Sequence, residues 1–194
     1  MTDDTLSPGV PPLSPSTPTS DMPGMDCLAV CNMLLDLAGD EGLSPQDLQS
    51  LLYLAHGLHL RRTGGRPLVY GYFEAWEQGP VHPTLQSHLT GFQGLDLTVD
   101  LKLRFLRRRS LMDPMVHRPT PPESPMAIGC GILVVQMFRH LSPDQLHDLV
   151  TAPGSPWDTV LSSAVARGVC GFRIPDGVIR AKFHMHKLLI VSNT

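Results

Sequence analysis

Residues 48–83, LQSLLYLAHGLHLRRTGGRPLVYGYFEAWEQGPVHP, organise the rest of the chain. The first part places apolar residues on nearly every side of a helix, which is typical of a helix buried at the centre of a fold. After Gly64-Gly65 the composition changes to aromatic and β-branched residues, which favour short strands. The stretch therefore predicts a central buried helix, one or two short strands that end at Trp76, and a turn at Gly79-Pro80.

The start of the central helix is marked by Ser44-Pro45. A serine side chain at this position accepts a hydrogen bond from the first backbone N–H groups, and proline suits the first helical position. The same pair recurs at Ser142-Pro143 and Ser155-Pro156. Three such pairs predict three helix starts and favour a helical bundle.

The fold class expected from these patterns is mainly α with a small β element (α+β), a compact helical bundle around the central helix. Apolar spacing and turn residues predict further helices over residues 25–39, 83–89, 126–140 and 175–182. Apolar and polar residues alternate over residues 95–105, which predicts a half-buried strand.

The chain has 194 residues, which is the size of one domain. Residues 1–24 are rich in Pro, Ser and Thr and predict a disordered tail. The expected domain covers residues 25–187 and includes a proline-rich loop at 113–125. Residues 188–194 are expected to form a C-terminal tail.

The charge and the apolar runs give no indication of a membrane partner. The net charge is −3, no secretory signal is recognisable, and the longest apolar run is 128–135. A membrane-spanning helix needs about 20 apolar residues. Four cysteines without a secretory signal favour a reducing compartment. We therefore expect a cytoplasmic protein.

Three consecutive arginines, residues 107–109, are the only sequence feature that suggests a nucleic-acid partner. They lack the interleaved aromatic residues of a single-strand binding platform, and no groove-reading helix is recognisable. A solvated strand edge is the favoured interpretation, so nucleic-acid binding is the weakest functional hypothesis.

The pair His56 and His59 is the main candidate for chemistry. Two histidines three positions apart on a helix can ligate a metal, but a site needs a third ligand and an orienting second shell, and no H-E-x-x-H motif is present. Core or partly exposed histidines are favoured, and a metal-dependent enzyme is the alternative. We expect no enzyme and no cofactor, because no phosphate loop, glycine elbow or paired nucleophile appears either.

Two other groups are also expected to have no chemical role. Cys27 and Cys31 share a helix face, but no second ligand pair lies at a zinc-finger spacing, so small core cysteines are favoured. His184 and His186 lie near the C-terminus, where surface positions are expected.

The central stretch resembles the Panacea domain, also called the SocA-like family, found in bacterial antitoxins and phage-associated proteins. The similarity lies in the helix pattern L-Q-x-L-L-Y-x-A-x-G, a following G-x-P-L, the corner E-A-W-x-x-G-P-V, and a downstream S-P-W. Ser50 departs from the family pattern, which usually has lysine there. The positions that the resemblance marks as structural or partner-binding, called the motif residues below, are Leu48, Gln49, Leu52, Tyr53, Gly57, Pro67, Glu74, Trp76, Gly79, Pro80, Pro156 and Trp157.

The resemblance implies an antitoxin of a toxin–antitoxin system that neutralises a toxin, encoded nearby, by direct binding. SocA-like members also act as proteolytic adaptors that deliver a toxin to an AAA+ protease. Trp76 and Trp157 are candidate interface anchors, because aromatic side chains dominate binding hot spots. Their motif context favours a packing role under the Gly-Pro corner and the last helices.

Overall fold

The computed structural model describes residues 24–92, 108–109, 116–165 and 172–186. Two short 3₁₀ turns, Gly39–Glu41 and Phe183–His186, accompany the regular elements. The mainly helical α+β fold is confirmed. The helices of the described part are α1 (Cys27–Ala38), α2 (Pro45–Arg62), α3 (Pro83–Phe92), α4 (Pro125–Phe138), α5 (Pro143–Val150), α6 (Pro156–Val165) and α7 (Asp176–Lys182), and its strands are β1 (Phe73–Trp76), β2 (Gly79–Val81), β3 (Arg108–Arg109), β4 (Val116–His117) and β5 (Arg173–Ile174).

Helix α2 is the centre of the fold, as the sequence predicts. It packs against α1, α4, α5, α7 and β2. Its buried apolar residues lie on several sides of the helix and include Leu48, Leu51, Leu52, Leu54 and Leu60. Most of the stability of such a buried helix comes from its packing against the surrounding elements.

Serine residues cap four of the helices. The Ser44 side chain accepts a hydrogen bond from Asp47 N at 3.0 Å, and Ser142 forms a reciprocal capping box with Gln145. Ser155 Oγ accepts from Asp158 N at 3.1 Å. These caps confirm the three predicted starts. A fourth cap, Ser124 before Pro125, begins α4 and was not recognised in the sequence.

The three-stranded antiparallel sheet has the order β2-β1-β5. The prediction of a turn at Gly79-Pro80 is wrong, because these residues begin β2 opposite Trp76 and Ala75. The turn is formed by Glu77 and Gln78. Pro80 is compatible with a strand here because β2 is an edge strand of this sheet, where a missing N–H leaves no ladder bond unmade.

An aromatic cluster fills the space between α2 and the sheet. The ring of Phe73 contacts Tyr53, His56 and His82, with centroid distances of 5.1 to 5.4 Å. Tyr53 Oη lies 3.1 Å from Nε2 of His186, and Nδ1 of His186 lies 3.0 Å from Leu149 O. His186 is fully buried, so the surface position expected for it is wrong. The 3₁₀ turn after α7 brings it back to α2.

Several predicted segments lie outside the described residues: the tail up to residue 23, the strand at 95–105, part of the loop at 113–115 and the tail at 188–194. Of the arginine run, Arg108 and Arg109 form β3, which pairs with β4. Within the described ranges, no helix combines the length and the apolar character that crossing a membrane requires.

We predict that Gly57→Ala destabilises the fold. A Cβ at Gly57 would lie 2.2 Å from Cε2 of Phe183, so the ring would have to move, at a cost of about 1–3 kcal/mol. The matched control is Gly129→Ala in α4, where a Cβ meets nothing within 4 Å and removal of glycine should stabilise by up to about 1 kcal/mol. Urea unfolding measures both, and equal midpoints for the two variants would contradict the packing described.

We also predict an acid-sensitive contribution from His186. Burial lowers its pKa from 6.5 to about 4, whereas the unfolded chain binds the proton at its ordinary pKa. The neutral His186 therefore stabilises the fold above about pH 6.5. This contribution, up to about 3 kcal/mol, falls as the pH drops from 6.5 towards 4.

The free energy of unfolding, measured between pH 7 and 4.5, should depend less on pH in His186→Gln than in the unmodified chain. The control is His184→Gln, because His184 is exposed two positions away. An identical pH dependence in both variants would show that His186 does not carry the effect.

Candidate functional site

The two tryptophan motifs meet at the end of β1. Pro156 occupies the first turn of α6, and this places Trp157 beside the hairpin. Trp157 Nε1 donates a hydrogen bond of 2.7 Å to the backbone oxygen of Trp76. Trp157 is half-buried and packs against the core cluster. The packing role expected for Trp157 is therefore observed.

The side chain of Trp76 points outward instead. Along β1, Phe73 and Ala75 face the core, whereas Trp76 is 40% exposed. Its Nε1 donates to Oε2 of Glu74 at 2.7 Å, an exposed hydrogen bond that favours this orientation of the indole. The hydrogen bond from Trp157 is accepted by the backbone of Trp76 and does not involve the Trp76 side chain.

Tyr72, Glu74, Trp76 and Arg173 form one continuous patch, which we call the aromatic surface. Arg173 lies over the ring of Tyr72 at 4.9 Å from its centroid and is opposite Glu74 in the sheet. Tyr72 is 38% exposed. Trp, Tyr and Arg are the residue types enriched in binding hot spots. Tyr72 and Arg173 are not among the residues predicted from the sequence, although the alternation Tyr72, Glu74, Trp76 is a usable signal.

Two grooves border Trp76. The first, called the tryptophan groove, has a volume of about 520 Å³ and is lined by Ala75, Trp76, Glu77, Gln78, Trp157, Leu161 and Phe172. The second has about 300 Å³ and is lined by Pro45, Gln46, Gln49, Ser50, Trp76, Gln78, Pro80, Val81, Gln86 and Leu89. Trp76 lines both grooves, and its side chain is exposed between them.

Most other motif residues lie in the core or in the segments that position this surface. Gln49 is buried; its Oε1 accepts from His82 N at 3.0 Å and its Nε2 donates to Gln86 at 3.3 Å. Gly79 has a φ of 110°, a conformation that glycine adopts without strain. The remaining positions are Leu48 and Leu52 in the core, Tyr53 against His186, Gly57 under Phe183, Pro67 in the connection to β1, and Pro80 buried opposite Ala75.

His56 and His59 bind different parts of the fold. The Nδ1 atom of His56 accepts from Val69 N at 3.4 Å, so the proton is on Nε2, which lies 3.2 Å from Asp176 Oδ1. His59 donates from Nδ1 to Arg66 O at 2.9 Å, and burial lowers the pKa of His59. Among the residues that the structure describes, no group of three His, Cys, Asp or Glu side chains is placed to hold a metal.

Cys27 and Cys31 are buried, as expected for core cysteines. The sulfur of Cys27 lies 3.4 Å from His82 Nδ1, and Nε2 of His82 lies 3.1 Å from Tyr70 O. Hydrogen bonding to Cys31 and to His82 lowers the pKa of the Cys27 thiol, whereas burial raises the pKa of Cys31. His82, which lies between β2 and α3, thereby connects α1 to Tyr70 in the segment that leads into β1.

We predict unequal effects of Trp→Phe at the two positions. Trp157→Phe removes the hydrogen bond to the Trp76 backbone and should lower the free energy of unfolding by about 1 kcal/mol. Trp76→Phe removes only an exposed bond to Glu74 and should cost less than about 0.5 kcal/mol. Urea unfolding measures both values. A larger loss for Trp76→Phe would contradict the division between packing and surface roles.

Comparison with known proteins agrees with the resemblance. The family model described as "Antitoxin SocA-like, Panacea domain" matches residues 48–158, which include both tryptophans. Antitoxin SocA of Caulobacter vibrioides is 34% identical over 183 residues, which cover 93% of this chain and 92% of that protein. No solved structure matches the chain. The chain belongs to the antitoxin SocA-like family of Panacea-domain proteins.

Proposed function

We propose that this chain is an antitoxin that neutralises a toxin protein by direct binding and catalyses no reaction. Family membership supports the antitoxin role. The aromatic surface around Trp76 is the observation that supports direct binding, because it exposes large aromatic side chains on a fixed hairpin. Neutralisation by binding requires a complementary surface and no reactive group.

The aromatic surface is organised before any partner arrives. The Trp76 indole is held by Glu74, and the Arg173 guanidinium stacks on Tyr72. Side chains that are already ordered lose less conformational entropy on binding, and this increases affinity. The grooves beside Trp76 supply recesses for side chains of the partner, as the centre of a tight interface requires.

The adaptor activity is a second form of the same proposal. In this form the chain binds the toxin and delivers it to an AAA+ protease, so the toxin disappears from the cell. The two forms differ in one measurement, the amount of toxin over time. Stable toxin in a complex supports neutralisation by binding, whereas falling toxin levels that depend on the protease support the adaptor form.

We predict that Trp76→Ala reduces protection. The protein encoded by the gene next to that of this chain should arrest growth when it is induced alone in a bacterial host. Co-expression of this chain should restore growth. Loss of a hot-spot tryptophan costs about 2 kcal/mol or more, which weakens binding roughly 30-fold. Growth assays and calorimetry with the purified pair measure the effect.

The matched control is Met126→Ala in α4, because Met126 is 42% exposed and Trp76 is 40% exposed. This variant should protect as well as the unmodified chain. Full protection by a folded Trp76→Ala variant would contradict the assigned surface. A harmless neighbour that does not bind this chain would contradict the antitoxin proposal itself.

A further inference from the structure

The tryptophan groove has a lining that suits apolar side chains. Strand β1 and the turn after it provide one wall, and α6 provides the other. The apolar members of the lining are Ala75, Trp76, Trp157, Leu161 and Phe172. Burial of apolar surface from a partner in such a groove is favourable by roughly 25 cal/mol for each Å² removed from water.

The two indoles of the groove offer no hydrogen-bond donor to a ligand. Trp76 Nε1 is bound to Glu74, and Trp157 Nε1 is bound to the Trp76 backbone. A partner group that needed a donor from either indole would have to break one of these bonds. The two indole N–H groups are therefore already bonded, and the exposed ring of Trp76 is available for apolar contact.

The occupant cannot add a strand to β1. Both edges of β1 are already paired, with β2 on one side and β5 on the other. A partner in the groove therefore cannot pair with the backbone of β1 and contacts the side chains of the two walls instead. A volume of about 520 Å³ exceeds what one side chain fills. An amphipathic helix meets this requirement, since it presents several apolar side chains at i, i+3, i+4 and i+7.

The charges around the groove favour a cationic partner. Asp158 on α6 uses its carboxylate to accept from Gly154 N and Ser162 Oγ, and Glu74 is bound to Trp76. Arg173 is stacked on Tyr72. The side chain of Glu77 is exposed, and it makes no hydrogen bond or ion pair within the part of the chain that the structure describes. A lysine or arginine beside the apolar anchors would pair with it.

We infer that the tryptophan groove binds an amphipathic helix of the toxin, which inserts bulky apolar side chains between Trp76 and Trp157 and places a Lys or Arg against Glu77. The inference rests on the proposed function and specifies its partner. It identifies the part of the toxin that is bound by its chemistry: a helix with an apolar face and a basic flank.

Site-specific cross-linking tests the inference, and the probe is the protein encoded by the gene next to that of this chain. The photoreactive residue p-benzoylphenylalanine replaces Leu161 inside the groove. A second variant carries it at the exposed Gln78 on the edge of the groove, in case the first variant does not fold. The control places it at Met126 on α4. After irradiation of the co-expressed pair, mass spectrometry identifies the cross-linked peptide.

The expected result is a cross-link from position 161 or 78, and none from position 126, to a peptide with apolar residues at helical spacing and a neighbouring Lys or Arg. A cross-link to an acidic or proline-rich extended segment would overturn the inference, and so would a stable complex without cross-links from the groove. In both cases the proposed function would stand. Failure of the pair to form any complex would instead remove the proposed function.

A charge reversal tests the basic flank separately. Glu77→Lys should weaken the complex about threefold to tenfold and reduce the salt dependence of the association rate. The control is Glu123→Lys, because Glu123 is an exposed residue of the loop before α4 and the change in net charge is the same. Equal affinities for the two variants in a complex that still forms would overturn the role assigned to Glu77.

Discussion

The burial of α2 on nearly all sides is the constraint on which the rest of the structure depends. A buried polar group must find a hydrogen-bond partner, and α2 carries Gln49, His56 and His59 at buried positions. Each satisfies this requirement with the backbone of the segment that follows the helix: Gln49 binds His82 N, His56 binds Val69 N, and His59 binds Arg66 O. The polar residues of the core helix thereby hold residues 66–82 in place.

This attachment explains how a small sheet presents a rigid aromatic surface. Because the segment around β1 is fixed at three points to α2, Phe73 faces the core and the alternate residues face outward. The outward side chains are then ordered by local contacts, Glu74 with Trp76 and Arg173 with Tyr72. The histidines considered as metal ligands in the sequence act here as positioning groups of the core.

Local signals in the sequence predicted more of the fold than of the surface. A Ser-Pro cap depends on a few neighbouring residues, so the starts of α2, α5 and α6 were predictable. Trp76 and Trp157 have similar motif contexts, yet their exposure differs because one lies on the outward side of a strand and the other beside a hairpin distant in sequence. Likewise, the burial of His186 depends on Tyr53 and Leu149, which no local pattern connects to it.

The motif residues also divide by role in a way that bears on function. Trp76 is the one exposed side chain among the twelve, and most of the others lie in the core, in turns or in the supports of the hairpin. Of the residues that line the tryptophan groove, Trp76 and Trp157 belong to the motif, whereas Glu77, Leu161 and Phe172 lie outside it. The motif therefore specifies the scaffold and one anchor, whereas the surrounding positions determine the shape and charge offered to a partner. Under the proposed function, two chains that carry the same motif would recognise different toxins through these surrounding positions, because a shared indole provides affinity and the rim of the groove provides discrimination.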